Sequence, residues 1–473
     1  MLGEVPYTAR TAVLAQYFPA TPRLAKLMRT NEPSPAASLQ QPTLVGSFSY
    51  DASKALHFDN SSKRWFREPP TERNHGNGTG RAADLNFGFD AFTEKVHTPD
   101  PLDSLLYTLM HRASTRDSAS EIVRGAPQVG AELLDAEVLR TNVITWRGIM
   151  TKLCTAWSCH PEAPKAFREG FDLNVMMLGN TLFMEEVPPT AQEAQALARQ
   201  RKPRRLQKAM YYGYSFESFC TEGATPKPSA AQVPGWGGDV NTNVQWCHIV
   251  KSRLGDNRVM IGGEVDCVEE SSSGADETVV ELKTNMQLRN EEDEFRLHVK
   301  MLRMYMQSFL LGVKTIVIGF RDEHGQLLDA KHYRTADLPR IVRDKKGRWD
   351  ANHNLAFGAH ILNFLRTEIG AEMERWCFRA VHNLRAMEET HGAYPWHVHR
   401  TAGSFLGHLP LPCPRDAELE YPVFRVSFQP PFSQLTLRLV SPQELELDGR
   451  RQGRCGLVPT EFYRWATQPM TTQ

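Results

Sequence analysis

Two short runs constrain this chain more than any others: GGEVDC at 262–267 and VELKT at 280–284. Side chains alternate along a strand, so residues two apart share a face. Glu264 and Asp266 therefore point one way and Val265 and Cys267 the other. Glu281 and Lys283 share a face opposite Val280 and Leu282. The turn signal SSSGAD between the runs predicts a hairpin. Such a hairpin gathers three carboxylates and one ammonium on one side of a sheet and packs its apolar side into a core. Crowded carboxylates repel one another, so the arrangement calls for a counter-cation. Hard oxygen ligands suit Mg²⁺ or Mn²⁺ rather than zinc.

Asp266 followed by Glu281-x-Lys283 is the Asp…(Asp/Glu)-x-Lys spacing of a large superfamily of metal-dependent nucleases. In that chemistry the carboxylates hold metal, and the lysine orients or deprotonates the nucleophile. An exposed strand pair with a Glu–Lys salt bridge gives the same spacing, and many strands match ExK by chance. Glu264-x-Asp266 at hairpin distance and the apolar alternate face weigh toward a site. So do Gly262 and Gly263, since a strand without side chains lets a ligand approach closely.

The surroundings read as a mixture of strands and helices. Strand signals lie at VQWCHIVKSR, RVMIGGEVDCV and ETVVELKT, with LGDN and SSSGAD as turns. An amphipathic helix is predicted near 293–312, a strand at TIVIGFRD, a long helix over 354–388, and late strands at YPVFRVSF and SQLTLRLVS. Earlier, FSYD at 48–51 and SSKRWF at 61–66 read as strands of a meander, and LDSLLYTLMHRA at 102–113 as a helix. FDLNVMML and TLFMEEV flank Gly179-Asn180, a pair suited to a hairpin turn. Thr190-x-x-Glu193 is a capping box opening a helix that must stop or kink at Pro203. A second helix carries RLQKAMYYGYSFESFC. Residues 68–83 read as a flexible insertion, 221–238 as a loop, and HGAYPWHVHR shows no clear period. The fold class is α/β (α+β): a mixed sheet of Asp…Glu-x-Lys nuclease type with a second sheet and flanking helices. Residues 1–45 form a flexible N-terminal arm, 46–380 the catalytic domain, and 381–473 a C-terminal extension whose strands complete the fold.

Lys+Arg and Asp+Glu both total 55 in the 473 residues, so bulk charge neither demands nor excludes nucleic acid, and any phosphate-binding surface is local. Eight cysteines contain no CxxC, which indicates neither a zinc site nor a disulfide framework. Reduced thiols in an intracellular protein are the simple reading. The N-terminus MLGEVPYTAR carries no apolar stretch of signal-peptide length, and SFLLGVKTIVIGF is interrupted by Lys314, so no membrane span is expected. The sequons at Asn60 and Asn77 then read as chance matches.

Five ordered motifs together resemble the DXO family of eukaryotic RNA 5′-end quality-control and decapping enzymes: ITWRGIMTKL at 144–153, GYSFE at 213–217, GGEVDC, VELKT, and KMLRMYMQSFLLGV…IVIGFRD at 300–322. FSYD and LDSLL fit most closely the fungal nuclear branch that partners the 5′–3′ exoribonuclease. The resemblance covers roughly residues 46–380. It implies a catalytic set of Arg147, Glu217, Glu264, Asp266, Glu281, Lys283 and Gln307. Glu217, Glu264, Asp266, Glu281 and the main-chain carbonyl of Leu282 would hold two divalent ions, Mg²⁺ or Mn²⁺. Arg147, Lys283 and Gln307 would meet substrate. Glu185 or Glu186 sits where the family often has another acidic residue. The implied substrates are RNAs bearing a 5′-triphosphate, an unmethylated cap or a NAD cap. The implied setting is the nucleus beside a 5′–3′ exoribonuclease, with some members also degrading RNA from the 5′ end. A DNA-directed nuclease on the same core, or a non-catalytic stabilising subunit of an exoribonuclease, are the rival readings. Residues 1–45, 68–83 and 385–430 match no family motif.

Several of these residues have plainer readings. Arg147 could be a surface helix residue paired with a carboxylate, and Glu217 a solvated helix residue. Gln307 lies among Met301, Leu302, Met304, Tyr305, Phe309 and Leu310 and could be a buried structural hydrogen-bonder. The basic cluster Arg199, Arg201, Lys202, Arg204, Arg205 and Lys208 reads as an RNA contact, a nuclear address or a solvated helix end. His397-x-His399 lacks a third ligand and reads as a loop pair.

Overall fold

The computed structural model describes residues 10–13, 38–73, 82–96, 99–122, 138, 140–159, 167–199, 203–223, 233, 235–270, 277–391, 421–430, 432, 434–447 and 453–467. The strands in chain order are β1 (Arg10–Val13), β2 (Thr43–Tyr50), β3 (Leu56–His57), β4 (Arg64–Phe66), β5 (Val143–Trp146), β6 (Phe171–Leu178), β7 (Thr181–Glu186) and β8 (Thr221–Gly223). They continue as β9 (Gln245–Leu254), β10 (Asn257–Glu264), β11 (Cys267–Glu270), β12 (Glu277–Met286), β13 (Thr315–Arg321), β14 (Leu327–Arg334), β15 (Phe424–Phe428) and β16 (Gln434–Leu439). The longer helices are α1 (Asp103–Ile122), α2 (Arg147–Thr155), α3 (Ala191–Arg199), α4 (Arg204–Cys220), α5 (Glu291–Leu311), α6 (Ala351–His391) and α7 (Thr460–Thr467).

Local chemistry sets several boundaries where the sequence places them. Gly179 takes φ 60° in the β6–β7 turn, and β6 and β7 pair antiparallel from Leu173↔Glu186 to Leu178↔Thr181. The capping box forms reciprocally: Glu193 N donates to Thr190 Oγ1 at 3.2 Å, and Thr190 N donates to Glu193 Oε2 at 2.9 Å. Helix α5 opens on Asn290, which accepts from Asp293 N, and closes on Gly312 at φ 76°.

Two mixed sheets result. One runs β1-β16-β15-β6-β7-β5-β10-β9-β2-β3, the other β14-β13-β12-β11-β4-β8. Strand β5 runs parallel to both β10 and β7, and β12 parallel to β13. The larger core lies between the ten-stranded sheet and helices α2, α5 and α6, with Ile149, Leu153, Leu302, Leu310, Leu355 and Leu362 all buried. Helix α4 packs Phe216 and Phe219 against Val280, Leu282 and Val317 of the second sheet. Each such aromatic contributes about 1.5 to 3 kcal/mol by burial. A Cβ at Gly319 of β13 would collide with the Phe216 ring, so that glycine lets α4 lie close to the sheet.

Three expectations are corrected. The run RVMIGGEVDCV is two strands, not one. Strand β10 belongs to the ten-stranded sheet beside β9, and β11 to the six-stranded sheet, where Cys267↔Val280 opens the antiparallel pairing with β12. The hairpin therefore joins β11 to β12, and Glu264 stands on the other sheet. The proposed meander divides likewise: β2 pairs with β9 and β3, whereas β4 pairs with β8 and β11. Within the expected loop 221–238, Thr221–Gly223 forms β8, which covers the far side of β4. These are long-range pairings, which local alternation does not encode.

The ends of the 68–83 segment are pinned, with Ala83 N donating to Pro70 O and Leu327 N to Ala83 O, both at 2.9 Å. Residues 74–81 of the expected insertion lie outside the described residues, as do Arg201, Lys202, His397 and His399. Arg204 pairs with Asp90 at 3.1 Å, and Lys208 donates to Asn86 Oδ1 at 3.0 Å, so these members of the basic cluster hold α4 to the 84–90 loop.

The late strands extend the larger sheet: β15 pairs with β6, β16 with β15, and β1 with β16. Arg454 fastens the segment behind them. Its guanidinium reaches Asp103 Oδ1 at 2.7 Å and the fully buried Glu185 at 3.3 Å. Glu185 also accepts from Leu102 N at 2.7 Å. Removing the cation from a buried pair strands the carboxylate, so Arg454→Ala should cost about 3–5 kcal/mol in urea unfolding. A loss below about 1 kcal/mol would show that this tie is not structural.

Candidate active site

The strand that leaves one sheet for the other makes a fork, and the predicted carboxylates stand at it. At the end of β10, Val265 N still donates to Trp246 O of β9 at 2.8 Å. One residue later the chain turns away, and Asp266 Oδ2 accepts from Leu282 N of β12 at 2.7 Å. Its carboxylate thus takes over where the β11–β12 backbone pairing ends at Cys267↔Val280. Glu264 closes the β10 side and accepts from Gln245 Nε2 at 2.9 Å. Helix α4 adds Glu217, positioned by the neighbouring Phe216 in the core of the second sheet.

Glu281 lies deepest, at 1% exposure. Its two oxygens are taken by different cations: Arg147 Nη1 sits 3.0 Å from Oε2, and Lys283 Nζ 2.6 Å from Oε1. Lys283 Nζ also donates to the Leu282 carbonyl at 3.1 Å. Arg147 is the first residue of α2, directly after β5, with 14% of its side chain exposed. It is not a surface residue. The glycines explain the approach, and not as expected. A Cβ at Gly263 would stand 3.0 Å from Arg147 Cβ and 2.7 Å from Leu311, and one at Gly262 2.7 Å from Leu105. The bare strand admits the protein's own side chains, bringing the N-terminus of α2 and the C-terminus of α5 against β10.

The electrostatics follow from burial against charge. Burial would raise Glu281, but Arg147 and Lys283 outweigh it and hold it down near about 2. Burial and then the neighbouring Glu281 push Asp266 up to about 7. Burial, with Asp266 and Glu264 beside it, pushes Glu217 well above the usual carboxylate range. Glu264 is also raised, its burial exceeding the pull of Arg147 and Gln245. Burial would lower Lys283, but Glu281 and Asp266 raise it, so the ammonium stays charged.

Glu217, Glu264, Asp266, Glu281 and the Leu282 carbonyl form a donor set of hard oxygens that fits a hard divalent ion. Among the described residues, no three His, Cys, Asp or Glu side chains gather round one point as ligands would. The reason is visible in the bonds: both oxygens of Glu281 are engaged by cations, and Asp266 and Glu264 are engaged by amides.

Gln307 stands apart. It is half-buried on α5, and no hydrogen bond to another described residue holds its amide, so the structural hydrogen-bonder reading finds no partner there. Glu186 pairs with Lys152 at 2.8 Å, and Glu185 belongs to the Arg454 tie; neither bonds to the carboxylates of the fork. A cleft of about 790 Å³ opens onto Glu217, Glu264 and Asp266. Its wall includes residues that sequence reasoning passed over: Arg64, Lys95, Tyr214, Gln245 and Trp246. Tyr214 lies within the GYSFE motif, and Gln245 and Trp246 within the strand signal VQWCHIVKSR. Arg64 and Lys95 carry no local signal: pairing of β4 with β8 and β11 brings Arg64 here, and bonds to Thr242 and Gln245 hold Lys95.

The pH dependence has a definite sign. A carboxyl whose folded pKa is raised binds its proton more tightly in the folded state, so its contribution to stability is lost as pH rises toward that pKa. Metal-free protein should therefore melt at falling temperature between about pH 4.5 and 7, through Asp266 and Glu217. Mg²⁺ or Mn²⁺ should restore the melting temperature at pH 7, and Asp266→Asn should flatten the metal-free slope. Scanning calorimetry in chelator and in added metal checks this. An identical slope in Asp266→Asn would remove Asp266 as its source.

A family profile described as RAI1 like PD-(D/E)XK nuclease matches residues 40–403. The chain is 35% identical to the decapping nuclease RAI1 of Mycosarcoma maydis over 477 residues, covering 91% of this chain and 88% of that one. It is 32% identical to the human decapping and exoribonuclease protein over 340 residues, covering 70% and 76%. The crystal structure of Candida albicans Rai1 in complex with pU5-Mn²⁺ superimposes with a TM-score of 0.64 at 18% identity, covering 97% of this chain and 99% of that one. That of Scheffersomyces stipitis Rai1 gives 0.60 at 22% identity, covering 90% and 97%. At these identities the structural likeness bears on the fold.

Proposed function

The chain belongs to the RAI1-like PD-(D/E)XK nuclease family, and from that premise we propose that it is a divalent-metal-dependent hydrolase of RNA 5′ ends. The observation that carries the reading is the fork itself, where carboxylates from two sheets and a helix gather with Arg147 and Lys283, and where Glu217, Glu264 and Asp266 line an open cleft. The substrates are RNAs with a 5′-triphosphate, an unmethylated cap or a NAD cap, and the reaction is phosphodiester or pyrophosphate hydrolysis. The names carried by the relatives, decapping nuclease and decapping and exoribonuclease protein, support that class.

Glu217, Glu264, Asp266, Glu281 and the Leu282 carbonyl would hold two ions, Mg²⁺ or Mn²⁺. Such ions supply Lewis acidity toward phosphate and lower the pKa of water. Lys283, held protonated by Glu281 and Asp266 in the metal-free site, orients the nucleophile as a donor. Arg147 uses one guanidinium nitrogen on Glu281 and keeps further donors for substrate phosphate, which a planar fork can grip with two bonds at once. Gln307 offers an amide for the same 5′ end.

The reading extends to the nucleus and to a 5′–3′ exoribonuclease partner, supported by the FSYD and LDSLL motifs of the fungal branch. No helix among the described residues is long and apolar enough to cross a membrane. Native purification that never co-elutes an exoribonuclease would count against the partner.

Purified protein should turn over end-labelled RNAs of the three 5′-end types in Mg²⁺ or Mn²⁺ and spare matched DNA. Asp266→Asn should stay folded and lose at least about a thousandfold in rate, since metal-assisted catalysis supplies several kcal/mol. Arg147→Lys should keep the Glu281 ion pair and most of the stability yet lose much of the rate, because lysine offers only a point charge. Wild-type turnover by a folded Asp266→Asn protein would overturn the assignment. Preferred cleavage of DNA would move the chain to a different substrate class.

A further inference from the structure

Among the described residues, three cations line the cleft, Lys63, Arg64 and Lys95, and two of them are committed. Lys95 donates to Asp100 Oδ2 at 2.6 Å and to Gln245 Oε1 at 3.2 Å. Lys63 is bound by Glu277 and lies over the rings of Trp65 and Trp246, 5.4 and 5.7 Å from their centroids. Arg147 and Lys283 are taken by Glu281. Arg64 differs. It is the first residue of β4, half-buried, and lines the same cleft as Glu217 and Asp266. No hydrogen bond or ion pair to a described residue engages its guanidinium.

A half-buried guanidinium with no fixed acceptor among the described residues, on a backbone set by strand pairing (Arg64↔Gly223), is placed to receive an anion from outside. We infer that Arg64 is a substrate-binding residue that grips a backbone phosphate of the RNA on the Glu217 side of the cleft. This rests on the RNA 5′-end reading above and deepens it. The chemistry suits an oxyanion such as phosphate: a guanidinium does not ligate metal, and its planar donors can meet two oxygens of one phosphate. Its neighbours agree. The Arg64 charge reaches Glu217, where it opposes the rise that burial and the neighbouring Asp266 and Glu264 impose. Bound metal would cancel the carboxylates' charge and leave the cation for the polyanion. The position also completes a division of labour, with Arg147 paired to Glu281 from the start of α2 and Arg64 on β4, lining the cleft beside Glu217 and Asp266.

The test uses the full chain with a short 5′-triphosphorylated single-stranded RNA in Mg²⁺. Arg64→Ala should raise KM about tenfold or more, as expected for a lost hydrogen bond to a charged group, with kcat within about twofold. The slope of log kcat/KM against log salt should become shallower by about 0.7, one phosphate contact on a single strand. Arg64→Lys should recover the salt slope and part of the KM. Melting temperature and metal-dependent stabilisation should match wild type. Should Arg64→Ala fail to fold, Arg64→Gln keeps the bulk and reads the same KM and slope. An unchanged KM and salt slope in a folded variant overturns the inference while leaving the function intact. A fall in kcat with lost metal stabilisation also overturns it, placing Arg64 as a support for Glu217. A folded wild type that neither binds nor cleaves RNA overturns the proposed function and this inference together.

Discussion

A carboxylate almost wholly removed from water must be neutralised or paired, and Glu281 is paired twice, by Arg147 and by Lys283. That single requirement organises the centre of the molecule. Lys283 comes from the same strand, two residues on. Arg147 comes from the start of α2, and it can reach Glu281 only because β10 offers Gly262 and Gly263 where side chains would otherwise block the helix. The packing of α2, α5 and β10 is therefore bound to the electrostatics of one side chain. The ten-stranded sheet supplies Glu264 and, through β5, Arg147; the six-stranded sheet supplies Glu281 and Lys283.

The fork between the sheets explains why the acidic cluster exists at all. Inside a regular sheet each backbone amide has a backbone partner, and a carboxylate would have no role in the ladder. Where β10 parts from β11, the amide of Leu282 finds Asp266 instead. The strand divergence leaves space, the space becomes a cleft, and polar groups at its floor are satisfied by side chains rather than by the sheet. Gln245 shows the same economy. Its amide must turn its oxygen to Lys95 and its nitrogen to Glu264, because ammonium only donates and carboxylate only accepts. Glu264 is thereby fixed from behind.

In the metal-free protein the site is held by its own cations. Glu281 is ionised, while Asp266 and Glu217 are raised and share their neighbourhood uneasily. Such a cluster costs stability, and proteins tolerate that cost at functional sites. The rest of the fold is arranged to bear it. Helix α4 is anchored by Phe216 and Phe219 on one side of Glu217, and the C-terminal segment is locked onto α1 and β7 by Arg454.

The sequence by itself determined the elements and the chemistry within them. Alternation in GGEVDC and VELKT paired Glu264 with Asp266 and Glu281 with Lys283. Thr190 with Glu193, Gly179-Asn180 and the apolar spacing of 291–311 set helix and turn limits, because caps, turns and amphipathic faces are local physics. Five of the motif residues, Arg147, Glu217, Glu264, Asp266 and Glu281, meet with Lys283 in one cluster. Only the tertiary structure decided that the EVD run spans two sheets, that Gly262 admits Leu105 and Trp146 and Gly263 admits Arg147 and Leu311 rather than a ligand, and that Glu185 serves a buried tie. It alone placed Arg64 in the cleft. Each of these depends on which strands pair across long stretches of chain, and strand partners are chosen by the burial of whole faces, which no local spacing records.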